Sequence, residues 1–230
     1  MDLEQLWNGI VLHRGGFPLG TDSVSCAWFA EFPKRSKVAD LGCGSGAIAL
    51  MLLASDPTLQ VTGVELQPEA AAAARKNAAA NPVNFTVLEA DLRQIGSLLP
   101  AGSMDGVISN PPYFPVGSGK SAAGPMAWAR SEETCTLSQL CQAAAWLLRW
   151  DGRFVLVHRP ERLAEAIACA SAVQLEAKRL CLVRHKENGP ITLILLSFRK
   201  GGKPGLQIEE ICLFDSDNQP TQAYRELYHL

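Results

Sequence analysis

Val38-Ala39-Asp40-Leu41-Gly42-Cys43-Gly44-Ser45-Gly46 leads directly into Ala47-Ile48-Ala49-Leu50-Met51-Leu52-Leu53-Ala54. Val38 to Leu41 read as a short buried strand. The glycines read as a tight turn that lets backbone approach a ligand closely. Ala47 to Ala54 are apolar on nearly every side, which predicts a buried helix closed by Asp56-Pro57. A helix that starts at such a turn offers unpaired amides to an anion. Strand, glycine turn and helix in this order are the opening unit of an α/β sheet.

The pattern repeats outward from that unit. Val61-Thr62-Gly63-Val64 is strand-like, and Pro68 opens an alanine-rich helix to about Ala80, stopped by Asn81-Pro82. Phe85 to Leu88 and Met104 to Ser109 read as the third and fourth strands. Leu137 to Trp150 carries a helical pattern, turned by Asp151-Gly152 into a fifth strand, Arg153 to Val157, with another helix over Pro160 to Ala172. Arg179 to Arg184 and Ile191 to Phe198 flank Asn188-Gly189-Pro190 and predict an antiparallel hairpin. The expected fold is α/β, a Rossmann-like seven-stranded, mostly parallel sheet with helices on both faces and an antiparallel C-terminal hairpin. Residues 1–36 form an N-terminal segment, 37–200 the core and 201–230 a tail packing on it. The Gly-, Ser- and Pro-rich stretch from Phe114 to Ala129 reads as a functional or mobile loop.

With 230 residues, 47% of them hydrophobic, the chain can bury a full core as one domain or as a domain plus a small appendage. It has no uninterrupted apolar run of about 18 residues, the length a membrane span needs. Met1-Asp2-Leu3-Glu4 lacks the layout of a signal peptide, so the expected location is cytoplasmic. The seven cysteines form no Cys-x-x-Cys pair, which supports neither a zinc site nor a disulfide framework, and no metal is expected. A formal charge of −2 does not advertise nucleic-acid binding, although it leaves room for a local basic patch.

Acidic side chains fall at successive strand ends. Asp40 precedes the glycines, Glu65 ends the second strand, where it can take the hydroxyls of a ribose, and Asp91 lies just past the third. Each has a structural alternative: Asp40 can cap the glycine turn, Glu65 can be an exposed strand end, and Asp91 can be a helix N-cap. Gly42, Gly44 and Ala47 also satisfy the looser G-x-G-x-x-A pattern of dinucleotide sites. The G-x-G-x-G run (Gly42, Gly44, Gly46) behind Asp40 is a spacing more usual for S-adenosylmethionine, with Asp91 placed to accept from the adenine amino group.

Asn110-Pro111-Pro112-Tyr113 follows the apolar run Gly106-Val107-Ile108-Ser109. The Asn110 amide oxygen and the Pro111 carbonyl can accept both hydrogens of a flat NH2 group, while Tyr113 stacks on its plane. A rigid turn with a capping Asn is the plainer reading of the tetrapeptide alone. Phe114 is a stacking face or, equally, a core plug. His13, His158, His185 and His229 have no metal-ligand spacing and read as structural or surface residues.

With these motifs the chain resembles class I S-adenosylmethionine-dependent methyltransferases that carry Asn-Pro-Pro-Tyr after the fourth strand. It more narrowly resembles the bacterial family that methylates N6 of the adenosine next to the anticodon in a valine tRNA. Leu19-Gly20-Thr21-Asp22-Ser23, Ile108 to Phe114, Ala129-Arg130 and Gln219 to Tyr228 carry that narrower likeness. The resemblance implies cofactor contacts at Asp40, Gly42, Glu65 and Asp91, with Gly44, Gly46 and Asn110 beside them. It implies target contacts at Asn110 and Tyr113, beside the Pro111 carbonyl and the Phe114 face read from the residues themselves, with Arg130 near the substrate. It also places Thr21 and Asp22, and with them the N-terminal segment, over the cofactor and target. The activity implied is direct methyl transfer to an exocyclic amine, N6 of adenosine in tRNA, with no membrane and no obligate protein partner. Protein glutamine-N5 methylation and rRNA or DNA amino-methylation are the competing activities, and a cofactor- or RNA-binding module is the non-enzyme alternative. Basic residues Arg159, Arg162, Lys178, Arg179, Arg184, Lys186, Arg199, Lys200 and Lys203 either line a phosphate track or are solvated strand ends.

Overall fold

The computed structural model describes residues 3–13, 19–111 and 135–230. β1 (Leu3–Gln5) and β2 (Val11–His13) pair as a separate antiparallel hairpin. After α1 (Thr21–Phe29) the alternation begins: β3 (Lys37–Leu41), α2 (Ala47–Ser55), β4 (Gln60–Glu65), α3 (Pro68–Ala79), β5 (Phe85–Glu89). A 3₁₀ turn at Leu92–Gln94 leads through α4 (Ile95–Leu98) to β6 (Met104–Ser109). Then come α5 (Leu137–Leu147), β7 (Leu148–His158), α6 (Leu163–Ser171), β8 (Leu175–Lys186), β9 (Ile191–Lys200), β10 (Gln207–Phe214) and α7 (Gln222–Tyr228).

The main sheet runs β10-β8-β9-β7-β6-β3-β4-β5, and β9 alone opposes its neighbours. Strand side chains alternate between two apolar layers. Val38, Ile108 and Val155 face one layer with Val24, Leu50, Ala74 and Leu227, from α1, α2, α3 and α7. Ala39, Val107 and Phe154 face the other with Ile95, Leu140 and Ala166, from α4, α5 and α6. Both faces are covered, as a parallel sheet requires.

The main sheet has eight strands among the described residues, one more than expected. The addition is β10, which lies in the 201–230 segment and pairs in parallel with β8 from Gln207↔Arg179 to Phe214↔Lys186. Its Ile208-Glu209-Glu210-Ile211 lacks alternation because this is an edge strand with Ile208 65% exposed. Its charges are used for pairing instead: Arg179 meets Glu209 at 2.8 Å, and Arg184 meets Glu210. A second difference is that the expected helix over Leu137–Trp150 stops at Leu147. Leu148 pairs with Met104 and is fully buried, so sheet contact overrides helical propensity there.

The N-terminal hairpin is held by Asn77 of α3 and Asn81 just beyond it, acting as a substitute strand. Asn77 accepts from the His13 amide at 2.8 Å and donates to the His13 and Ser45 carbonyls, each at 2.9 Å. Asn81 accepts from the Val11 amide and donates to its carbonyl, both at 2.8 Å. A carboxamide presents the same donor and acceptor as a peptide, so each side chain completes a ladder rung. Asn77→Ala would leave buried peptide groups unpaired, and is expected to cost about 2–4 kcal/mol, read as a lower urea midpoint at unchanged slope.

Candidate active site

The parallel strands β3, β4, β5, β6 and β7 end on one edge of the sheet, and the sequence-predicted acids and Asn110 come together there. The glycine loop leaves β3 with Gly42, Gly44 and Gly46 at φ of 75°, 55° and 85°, a region costly for side-chain-bearing residues. Its amides are largely satisfied within the protein. Gly42 and Cys43 donate to the Val64 carbonyl at 2.8 and 3.2 Å, Gly46 to the Cys43 carbonyl at 2.8 Å, and Gly44 to Glu65 Oε2 at 2.8 Å. The loop is therefore a prebuilt cradle that works chiefly by close backbone approach.

Glu65 is 8% exposed at the end of β4. Besides the Gly44 amide it accepts the Gln67 amide at 2.8 Å on Oε1, so each oxygen keeps a second acceptor site for a ribose hydroxyl. Asp40 is fully buried beneath the loop; among the described residues neither carboxylate oxygen has a hydrogen-bond partner of good geometry, and the Ala49 backbone amide approaches it. Burial, and then repulsion from Glu65, pushes its pKa up to about 7, against a smaller opposing effect of the Ala49 backbone. Two neighbouring acids and a tight glycine turn favour a ligand that brings positive charge. S-adenosylmethionine, with a sulfonium and an ammonium, fits this donor set. A dinucleotide pyrophosphate would meet an uncompensated buried carboxylate.

Asp91 caps the 3₁₀ turn, accepting the Arg93 amide at 2.9 Å on Oδ1, and its carboxylate is clamped by the Arg93 guanidinium. That pairing holds the carboxyl below its usual pKa, with desolvation opposing. The capping alternative is thus realised, and an adenine amino group would share the carboxylate with Arg93.

Asn110 follows β6, two strands from Glu65 and next to the Asp40 strand. Its Nδ2 donates to Ser23 Oγ at 2.9 Å, which ties it to α1. In the same helix Thr21 Oγ1 lies 3.3 Å from the Tyr228 hydroxyl, and Asp22 Oδ1 accepts the Ser23 amide at 2.8 Å. Pro111 is half-buried beside Asn110. Tyr113, Phe114 and Arg130, with Pro112 and the Phe114–Ala129 stretch, lie outside the described residues.

Two contributors had not been singled out for a role from sequence. The buried Ser109 hydroxyl donates to the Leu41 carbonyl at 2.7 Å, joining the end of β6 to the start of the glycine loop. A polar residue closing an apolar strand was the signal for it. Ser23 was visible only as part of Thr21-Asp22-Ser23, and its partner lies 87 residues away. His158 ends β7 fully buried, with Nδ1 accepting the Arg159 amide at 2.8 Å; burial lowers its pKa to about 4, so it is neutral. Among the described residues no cluster of His, Cys, Asp or Glu could hold a metal ion, and no helix is long and apolar enough to cross a membrane.

The nine basic residues of the last third do not form one track. β8 runs parallel to β7 and β9 opposes both, so Arg159, Arg162, Arg184 and Lys186 lie toward the carboxyl edge. Lys178, Arg179, Arg199, Lys200 and Lys203 lie toward the opposite edge. Several are already engaged: Arg162 with Glu165, Arg179 with Glu31 and Glu209, Arg199 with Asp151, and Lys200 with the Ala145 and Leu148 carbonyls.

Residues 19–177 match the methyltransferase small domain family. The tRNA1(Val) (adenine(37)-N6)-methyltransferase of Photobacterium profundum is 30% identical over 212 residues, covering 90% of this chain and 88% of that protein. The enzyme of the same name from Yersinia enterocolitica is 34% identical, covering 89% and 88%. Among solved structures, a predicted O-methyltransferase from Agrobacterium tumefaciens superimposes with a TM-score of 0.74 at 22% identity, covering 91% of this chain and 96% of that one. An S-adenosylmethionine-dependent methyltransferase from Aquifex aeolicus gives 0.54 at 12% identity, covering 74% and 85%. These two share the fold. The glycine cradle, the acids behind it and Asn110 on the adjoining strand thus belong to an S-adenosylmethionine-dependent methyltransferase acting on an exocyclic amine, and the chain is a member of the tRNA1(Val) (adenine(37)-N6)-methyltransferase family.

Proposed function

We propose that this enzyme methylates N6 of an adenosine in tRNA, in the cytoplasm, by direct in-line transfer. The observation that carries the reading is Asn110, held at the carboxyl end of β6 next to the strand that feeds the glycine loop. In support, the similar proteins from Photobacterium profundum and Yersinia enterocolitica carry that activity in their names.

Bound S-adenosylmethionine supplies a methyl group on a positively charged sulfur. The rest is the protein's work. Glu65 takes the ribose hydroxyls, Asp91 accepts from the adenine amino group, and Asp40 places negative charge beneath the cationic end, with Gly42, Gly44 and Gly46 allowing close approach. Thr21 and Asp22 bring the N-terminal segment over this site. Asn110 Oδ1 and the Pro111 carbonyl accept the two hydrogens of the target amine. Acceptance favours rehybridisation of a nitrogen whose lone pair is delocalised into the ring, and it strengthens as positive charge develops. Fixing nitrogen and methyl in line contributes on the order of 7–11 kcal/mol in well-oriented systems. The proton leaves after transfer, so no strong base is needed. Tyr113 and Phe114 stack on the extruded base, at about 1–3 kcal/mol per base, and Arg130 contacts the substrate.

Transfer of labelled methyl to separate tRNA, rRNA, DNA and protein pools tests this. Label is expected in tRNA as N6-methyladenosine, falling by roughly 100-fold or more in Asn110→Ala as a lost transition-state acceptor. Label in protein would instead identify a glutamine methylase. The topology also separates the basic residues. Lys186→Glu, at the carboxyl edge, is expected to weaken tRNA binding and reduce the salt slope by about 1, whereas Lys203→Glu leaves both unchanged.

Asp40 predicts a pH signature. A carboxyl whose folded pKa lies above its unfolded value costs nothing while protonated. The cost grows as pH rises from about 4 to about 7 and is level above that. Asp40→Asn should therefore be more stable than the parent without cofactor. Thermal unfolding should show that gap widening from pH 5 to 7 and constant above, by an amount on the order of 4 kcal/mol at most.

A further inference from the structure

Asn110 can serve a target amine only if its carboxamide faces the right way. The group has an acceptor end and a donor end of nearly equal size. Rotating it by half a turn would present NH2 to NH2, which repels. Ser23 anchors the group: its hydroxyl oxygen accepts the Asn110 Nδ2 hydrogen at 2.9 Å, and because a hydroxyl can donate as well as accept, what the contact fixes is the place of the carboxamide against α1.

The support beneath Ser23 is firm. Val24, Cys26 and Phe29 of α1 are buried in the core. Cys26 Sγ approaches the Ser109 carbonyl at 3.7 Å, so the same helix touches the backbone immediately before Asn110. At the helix start, Thr21 Oγ1 meets the Tyr228 hydroxyl of α7 at 3.3 Å. The Ser23 amide is taken by Asp22 Oδ1 at 2.8 Å, which further restricts the first turn.

We propose that Ser23 is a positioning residue for methyl transfer, holding the Asn110 carboxamide against α1 in the place from which Oδ1 receives the target amine. The inference rests on the role given to Asn110 above. Ser23 touches neither reacting atom and acts through Asn110. It contributes by restricting where the carboxamide sits, so its loss lowers turnover and leaves cofactor affinity alone.

The test compares full-length wild type, Ser23→Ala and Ser23→Thr, with two readouts. Steady-state methylation of tRNA gives kcat and the KM for S-adenosylmethionine. The 1H–15N signals of the Asn110 side-chain NH2, assigned by their disappearance in Asn110→Ala, report the contact without any substrate. Ser23→Ala is expected to lower kcat by about five- to tenfold, the range of one lost hydrogen bond, at unchanged cofactor KM and melting temperature. It should also shift the Asn110 NH2 signals, and Ser23→Thr, which keeps the hydroxyl, should restore both to near wild type. Unchanged NH2 signals in Ser23→Ala would overturn the proposal whatever the kcat. So would a kcat loss that threonine fails to restore, or one matched by lower cofactor affinity or a lower melting temperature. Wild type that shows the shift-sensitive amide yet transfers no methyl to tRNA would overturn the substrate reading while leaving the Ser23–Asn110 contact in place.

Discussion

The hydrogen bond from the Ser109 hydroxyl to the Leu41 carbonyl is short, buried and located where β3 and β6 stop pairing. Beyond it the chain after β3 departs toward β4 on one side, and the chain after β6 departs toward β7 on the other. That divergence opens the crevice in which open α/β sheets bind ligands. It also removes the ladder that would keep the two strand ends in register. The Ser109 side chain supplies the missing rung, and Cys26 contacts the Ser109 carbonyl from α1. The glycine loop and Asn110 are consequently referenced to one point. In-line displacement demands this, because a shift of about 1 Å between reactants can cost about 100-fold in rate.

The electrostatic layout of the crevice decides a question that the glycine pattern left open. Glu65 spreads its charge over the Gly44 and Gln67 amides, and so is tied into the cradle. Asp40 has weaker support, the Ala49 backbone, and burial together with Glu65 shifts it toward its neutral form. A buried acid so weakly compensated is a standing cost, and cost of that kind persists where a ligand relieves it. A cationic ligand end relieves it, whereas an anionic one adds to it. The same glycine spacing that admits a dinucleotide is thus biased by the residues beneath it toward a sulfonium.

Local chemistry made much of this legible. β3 to β6, α2 and α3 are legible because fully buried strands are continuous apolar runs and each turn carries glycine or proline, whereas the four-residue α4 is too short to show a period. The acids and Asn110 could be placed because strand ends in such sheets share one edge. β10 was not legible, since an edge strand stabilised by Arg179–Glu209 and Arg184–Glu210 pairs has no apolar alternation to display. The hairpin of β1 and β2 is not legible because its outer rungs are side-chain amides, Asn77 within α3 and Asn81 just beyond it, and such amides at an alanine-rich run look like surface. Ser23 shows the deeper limit. Its value comes from a partner 87 residues distant, and nothing within its own helix encodes that proximity.

The charge distribution follows from the same edge. A net charge of −2 gives no overall attraction to a polyanionic partner, yet net charge averages over charges with different tasks. Arg179 and Arg184 hold the acidic edge strand, Arg199 meets Asp151, and Lys178 and Lys200 serve carbonyls at the end of the sheet far from Asn110. These cations build the sheet extension and are largely spent there. What a nucleic acid approaching the crevice meets is the carboxyl edge, where exposed Lys186 ends β8 and Arg159 follows β7. A few cations beside the site can orient a strand whose specificity is set by the fit of one amine. Because β9 alone runs against its neighbours, it carries Arg199 and Lys200 to the far edge and leaves Lys186 and Arg159 exposed at the edge that holds Asn110.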